Sequence, residues 1–136
     1  MKYVLDTNAV SGLMRAEPAI IARLKSIART DVALPQPVAA EIEYGLARLP
    51  KSKRKQALEQ RWQLFSRELP RLPWTDEVSI EFGRVKASLE KRGQRIEDFD
   101  VAIAAHALAF GATLVTANVK HMPRVAGLAI EDWSKG

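Results

Sequence analysis

A single stretch near the start of the chain, Tyr3 to Asn8, sets the strongest limit on what this sequence can fold into. Tyr3, Val4 and Leu5 form a short apolar run of strand formers, which stops abruptly in Asp6, Thr7 and Asn8. A helical pattern follows directly. A strand that is apolar on both faces belongs in the interior of a parallel sheet. Open α/β sheets carry their chemistry just beyond the carboxyl ends of such strands. Asp6 is therefore a carboxylate at the mouth of a buried strand, where it either caps the next helix or serves a site.

The rest of the chain repeats the alternation. Ala9 to Arg15 reads as helix, and Pro18 restarts one with an apolar stripe of Ile20, Ile21, Leu24 and Ile27. Val32-Ala33-Leu34 is a short strand, and Pro37 suits the first turn of the helix that buries Val38, Ile42, Leu46 and Leu49. A basic helix follows with Leu58, Trp62 and Phe65 on its apolar side, then a short strand within Leu69 to Leu72. Thr75 is a helix N-cap with Asp76 and Glu77 in the first turn, and Gly93 closes that helix. Asp98-Phe99-Asp100 opens an alanine-rich helix that ends at Gly111. Thr113-Leu114-Val115 is a third clear strand, and Leu128 to Ile130 is expected to be the last. Short strands alternating with helices predict one three-layer α/β/α domain over residues 1–136, a parallel sheet covered on both faces. Right-handed crossovers then gather the strand ends, with Asp6 and Asn118, on one edge.

Totals exclude several chemistries. The chain has no cysteine, which rules out disulfides, thiolate metal sites and cysteine nucleophiles. The longest apolar stretch, Val101 to Phe110, contains His106 and is too short to span a bilayer. No signal peptide is evident, so a cytoplasmic location is expected. Net charge is +5, but residues 48–71 hold eight basic residues against two acidic ones and so carry +6, leaving −1 for everything else. A local basic patch on a neutral body suggests a polyanionic partner.

Three distant regions bring acids to the same edge: Asp6, then Glu41 or Glu43, then Asp98 or Asp100. Clustered carboxylates repel one another unless a cation neutralises them. Hard divalent cations take oxygen ligands, and Mg²⁺ uses few carboxylates while keeping several waters. No glycine-rich phosphate loop is present. Acids, a divalent ion and a nearby basic patch suit phosphodiester cleavage. At about 100° per residue, Glu41 and Glu43 flank the apolar stripe equally, with Gly45 one turn beyond Glu41. Asp98 and Asp100 lie about 200° apart on a helix, so one is expected to serve the site and the other to cap.

Four motifs in order resemble the PIN-domain ribonucleases, and among them the toxins of the VapC type. They are Leu5-Asp6-Thr7-Asn8, Ala40-Glu41-Ile42-Glu43-Tyr44-Gly45, Asp98-Phe99-Asp100-Val101-Ala102-Ile103-Ala104-Ala105, and Leu114-Val115-Thr116-Ala117-Asn118. The resemblance selects Glu41, which precedes a glycine by four positions, and Asp100, which lies three before Ile-Ala-Ala. It implies a metal-dependent endoribonuclease, the toxin of a type II toxin–antitoxin pair. Asp6, Glu41, Asp100 and Asn118 would hold Mg²⁺ or Mn²⁺, with Asp98 as a further candidate and capping as its competing role. Thr7, Thr116 and Asn118 would orient ligands and waters, and a metal-activated water would attack phosphorus in line. Many relatives carry an aspartate where this chain has Asn118, which can orient a metal-bound water but supplies no charge. The resemblance also implies a homodimer and a cognate antitoxin protein, with which it would form a larger complex, a peptide being inserted near the acids.

Lys51, Lys53, Arg54 and Lys55 are the expected contacts to the RNA backbone. His106, His121 and Ser11 lack the partners that acid–base or serine chemistry requires. Trp62 is expected in the core, and Trp74 and Trp133 are weak candidates for base stacking. Apolar surface around Ile20, Leu24 and Ile27, or near Leu13 and Met14, would suit a partner peptide. Two rival readings are a receiver-like domain, which also puts an aspartate after its first strand, and an inactive PIN-like RNA-binding scaffold. A PIN nuclease of RNA maturation, acting without an antitoxin, is a third.

Overall fold

The apolar runs become strands because only the centre of a sheet buries both of their faces. In the computed structural model, which describes residues 1–135, β1 (Tyr3–Leu5) lies between β2 (Val32–Pro35) and β4 (Thr113–Val115). β3 (Arg71–Leu72) and β5 (Ile130–Glu131) form the edges, giving the order β3-β2-β1-β4-β5 with every pair parallel. Val4, Leu5, Val32, Leu34 and Leu114 are completely buried. The last strand begins two residues later than expected. Gly127 turns the chain with φ 80°, and the register then pairs Leu114 with Ile130 and Val115 with Glu131.

Six α-helices connect the strands: α1 (Thr7–Met14), α2 (Pro18–Lys25), α3 (Gln36–Ala47), α4 (Lys53–Glu68), α5 (Asp76–Lys91) and α6 (Asp98–Ala109). Passing from β1 to β2 to β3 moves steadily one way, and the return to β4 reverses that direction. With right-handed crossovers, α1 to α4 therefore fall on one face of the sheet and α5 and α6 on the other. α5 and α6 pack closely, and α6 is buried continuously from Val101 to Ala107. Alanines let it approach the sheet that closely. Local signals set the helix ends: the Thr75 hydroxyl accepts from the Val78 N–H, and the Ser52 hydroxyl accepts from the Lys55 N–H at 3.0 Å.

This order has one functional consequence. Connections leave β1 and β4 in opposite directions, so a crevice opens between their carboxyl ends. Asp6 follows β1 directly, and Thr116 follows β4.

Candidate active site

Asp6 caps the helix that follows it and also lies at the crevice. Its side chain accepts the Thr7 N–H at 2.7 Å, and the residue is only 2% exposed. Its other oxygen accepts from the Thr116 hydroxyl at 2.7 Å and from the Asn8 amide at 3.3 Å. Burial pushes the Asp6 carboxyl above its usual range, and these three bonds, Thr116 first, pull it back part of the way. Thr116 in turn accepts from the Asn118 N–H at 2.9 Å and the Asn8 amide at 3.2 Å. Asn8 closes the ring by accepting the Ala117 N–H at 2.9 Å. Asn8 stood in the sequence motif without a role; here it ties the β1 and β4 ends together.

Glu41 and Glu43 differ in their partners. The Thr7 hydroxyl donates to Glu41 at 2.5 Å, tying α3 to the start of α1. Glu43 instead accepts the indole N–H of buried Trp62 at 2.9 Å, facing α4. Gly45 leaves open room beyond Glu41, since a Cβ there would meet nothing within 4 Å.

The start of α6 carries Asp100 and brings a correction. Asp100 is partly buried, and its carboxyl is pushed up to about 6, first by burial and then by the charges of Asp6, Glu41 and Glu97. Asp98 does not cap the helix as expected. It lies inside the first turn, exposed, with an ion pair to Lys86 at 3.1 Å, and Glu97 occupies the cap position without a side-chain bond. Salt-bridging to α5 rather than capping is what its outward direction permits. Glu97, which sequence reasoning passed over, faces the acids instead; its only sequence signal is its place three residues before Asp100.

Asn118 also differs from a free ligand, because its side-chain oxygen accepts the His121 N–H at 3.1 Å and shapes the loop after β4. Two cavities flank the acids. One of about 540 Å³ is lined by Asp100, Glu97, Asp98, Arg95 and His121. The other, about 250 Å³, is lined by Glu41, Thr7, Gly45, Arg15 and Arg54. Of the four basic residues expected to meet RNA, Arg54 alone lines a cavity beside an acid. Lys51 and Lys53 are simply exposed, whereas the Lys55 ammonium is already used, donating to the Leu49 carbonyl at 3.2 Å.

His106 is buried, with Nδ1 2.7 Å from the Ala102 carbonyl oxygen, so it is a core histidine. Trp62 and Trp133 are core too, Trp133 packing edge-on against Tyr3, while Trp74 is half exposed and donates to Ser79.

Among the described residues, no three acid or imidazole side chains converge closely enough to grip one ion directly. Asp6, Glu41 and Glu97 are near enough to raise the Asp100 carboxyl, but the acids do not form a closed cage. An oxygen-only donor set with unsatisfied negative charge still fits a hydrated Mg²⁺-like ion, which keeps most of its waters.

Known proteins resemble this chain over its whole length. The chain is 32% identical to "Ribonuclease VapC2" of Rickettsia felis, covering 99% of this chain and all of that one. It is 27% identical to "tRNA(fMet)-specific endonuclease VapC" of Shigella flexneri over 98% of this chain and 99% of that protein. The crystal structure of VapBC2 from Rickettsia felis, bound to a DNA fragment from its promoter, superposes with a TM-score of 0.86 at 29% identity, covering 98% and 99% of the two chains. VapBC-1 from nontypeable Haemophilus influenzae gives 0.83 at 30% identity, covering 99% and 100%. Asp6 after β1, Glu41 within α3, Asp100 in the first turn of α6 and Asn118 after β4 all lie within residues 3–128, the span that matches the PIN domain family, and the chain belongs to that family.

Proposed function

We propose that the chain is a divalent-metal-dependent endoribonuclease, the toxin of a toxin–antitoxin pair, with Asp6, Glu41 and Asp100 as its acid centre. The observation that carries this reading is Asp100, whose carboxyl is pushed up to about 6 by burial and by Asp6, Glu41 and Glu97. The site holds more negative charge than its own donors neutralise. A cation completes it.

Asp6, Glu41 and Asp100 would hold Mg²⁺ or Mn²⁺, partly through water, and Asn118 would reach it only through a water, given its bond to His121. When bound, the ion polarises a phosphoryl oxygen and lowers the pKa of a neighbouring water. The chain's own groups do the positioning. Thr7 aims Glu41, while Thr116 and Asn8 hold Asp6 as an acceptor facing the crevice. The two cavities beside the acids leave room for the nucleotides on either side of the bond that is cut. Relatives described as VapBC complexes support an antitoxin partner, and a homodimer acting on cytoplasmic RNA completes the reading.

The test is cleavage of total RNA by purified protein with Mg²⁺ or Mn²⁺, with EDTA, and with the Asp6→Asn variant. Discrete cuts that EDTA abolishes are expected. The variant should fall by about a hundredfold or more, the scale of losing a principal charge-stabilising group, with its circular dichroism unchanged. Equal cleavage by wild type and variant would overturn the assignment.

A further inference from the structure

The charge count along the sequence assigned the whole positive excess to residues 48–71, but folding assembles a second basic cluster. Arg92, at the end of α5, donates to the Arg124 carbonyl at 2.8 Å, and Arg124 donates to the Arg95 carbonyl at 3.1 Å. Two guanidinium groups are thus anchored on backbone carbonyls rather than on acids, so their charge is not cancelled. They stabilise the loop that carries Arg95. The Arg95 side chain is 76% exposed, has only a loose contact to Glu90 at 3.9 Å, and lines the cavity that contains Asp100 and His121.

The opposite flank has a matching cation. Arg54 lines the cavity that contains Glu41, in the first turn of α4, where no acidic residue is present. A cation in a first turn opposes the helix dipole, so helix stability does not explain it. Glu41 in α3 and Asp100 in α6 face different cavities, and α3 packs directly against α6. The cavities therefore lie on either side of that helix contact, with Arg54 lining one and Arg95 the other.

We propose that one RNA strand crosses the carboxylates from the Arg54 side to the Arg95 side, each arginine holding a phosphate on opposite sides of the bond that is cut. This rests on the nuclease reading above and deepens it. Arg92 and Arg124 are positioning residues for Arg95. Guanidinium contacts to phosphate fix the register of the strand without reading its bases. A single strand suits the two cavities, because its backbone can bend through the acid centre, where a duplex is stiff.

Binding can be separated from cleavage by working in the Asp6→Asn background with Mg²⁺, using the full chain. The probe is a fluorescent single-stranded RNA of about 12 nucleotides, within the span that such grooves occupy. Arg54→Gln and Arg95→Gln should each weaken binding roughly fivefold or more at low salt. Each should also lower the slope of log affinity against log salt by about 0.7, the value for one phosphate contact on a single strand. The double variant should show the product of the two losses and twice the slope change, since the two contacts are independent. Arg→Lys at either position should restore the slope. An unchanged affinity in Arg95→Gln would overturn the proposal, as would a double variant no weaker than the weaker single. So would equal losses on a DNA duplex of the same length, which would mark a general anion surface. Cleavage by the wild-type chain is scored separately: if the arginine effects hold but no RNA is cut, the strand path stands and the nuclease reading falls.

Discussion

Asp6 and Asp100 both sit at the carboxyl-end edge of the sheet and burial raises both carboxyls, yet the protein supplies compensating donors to Asp6 alone. Asp6 is the more buried, and it receives three hydrogen bonds, from the Thr7 N–H, the Thr116 hydroxyl and the Asn8 amide. Asp100 is less buried, but its carboxyl is pushed up to about 6 because burial and three neighbouring carboxylates act on it without a compensating donor. Burial raises the Asp6 carboxyl too, but its three donors offset part of that rise. Asp100 is left for something else to neutralise. A carboxylate that helps fold the chain must be satisfied in the apo state, whereas one reserved for an ion need not be.

The contrast predicts where damage spreads. Beyond Asp6→Asn, the largest effect is expected for Thr116→Val. Valine keeps the shape but removes the donor to Asp6 and the acceptor for the Asn118 N–H and the Asn8 amide. Leaving these buried groups unpaired should cost about 1–3 kcal/mol in urea denaturation. Serine should recover most of it. A loss under the noise of the measurement would mean that the ring of bonds does not hold the β1 and β4 ends together.

Thr7→Val probes the link from Asp6 to Glu41. The backbone N–H that Asp6 accepts survives, so folding should change little, but Glu41 loses the hydroxyl that aims it. Removing an outer partner of a metal-ligand group typically costs about 10–100-fold in metal affinity. Calorimetric titration with Mn²⁺ would read that loss. An unchanged affinity would place the ion away from Glu41.

Much of this was legible in the sequence, and the reason is locality. The β1 run ending in Asp6-Thr7-Asn8, the Thr75 cap, Gly93 and the alanine-rich α6 are each fixed by neighbours a few residues away. Glu41 and Glu43 could not be separated that way, because the deciding contacts are Thr7 and Trp62, each on another element. The same holds for Lys55, whose ammonium is taken up by Leu49, and for Asp98, drawn to Lys86. The Arg92–Arg124–Arg95 series joins two chain regions that a running charge count cannot bring together. Element types come from spacing; partners come from the fold.

Asp100→Asn gives the smallest effect and the sharpest test of the contrast. The carboxyl moves from its ordinary 3.8 to about 6 in the folded chain. Above pH 6 the folded state therefore carries an ionised group that its surroundings disfavour, while the unfolded state carries the same ionised group in water. Asparagine removes that burden. The metal-free variant should be more stable than wild type at pH 7.5 by about 1–2 kcal/mol, after allowing for screening at a half-exposed site. As pH falls through 6 towards 3.8, the wild type takes up its proton in the folded state first and regains that stability. The two melting curves should then converge near pH 4. His106 works in the other direction. Burial lowers its pKa, so its contribution is present above 6.5 and is lost as pH falls, but it acts equally on both proteins and cancels in the difference. Adding Mg²⁺ at pH 7.5 should reverse the order, raising the wild type and leaving the variant nearly unmoved. A gap between the two proteins that stays constant from pH 7.5 to 4 would mean packing, not charge, distinguishes Asp100 from Asp6.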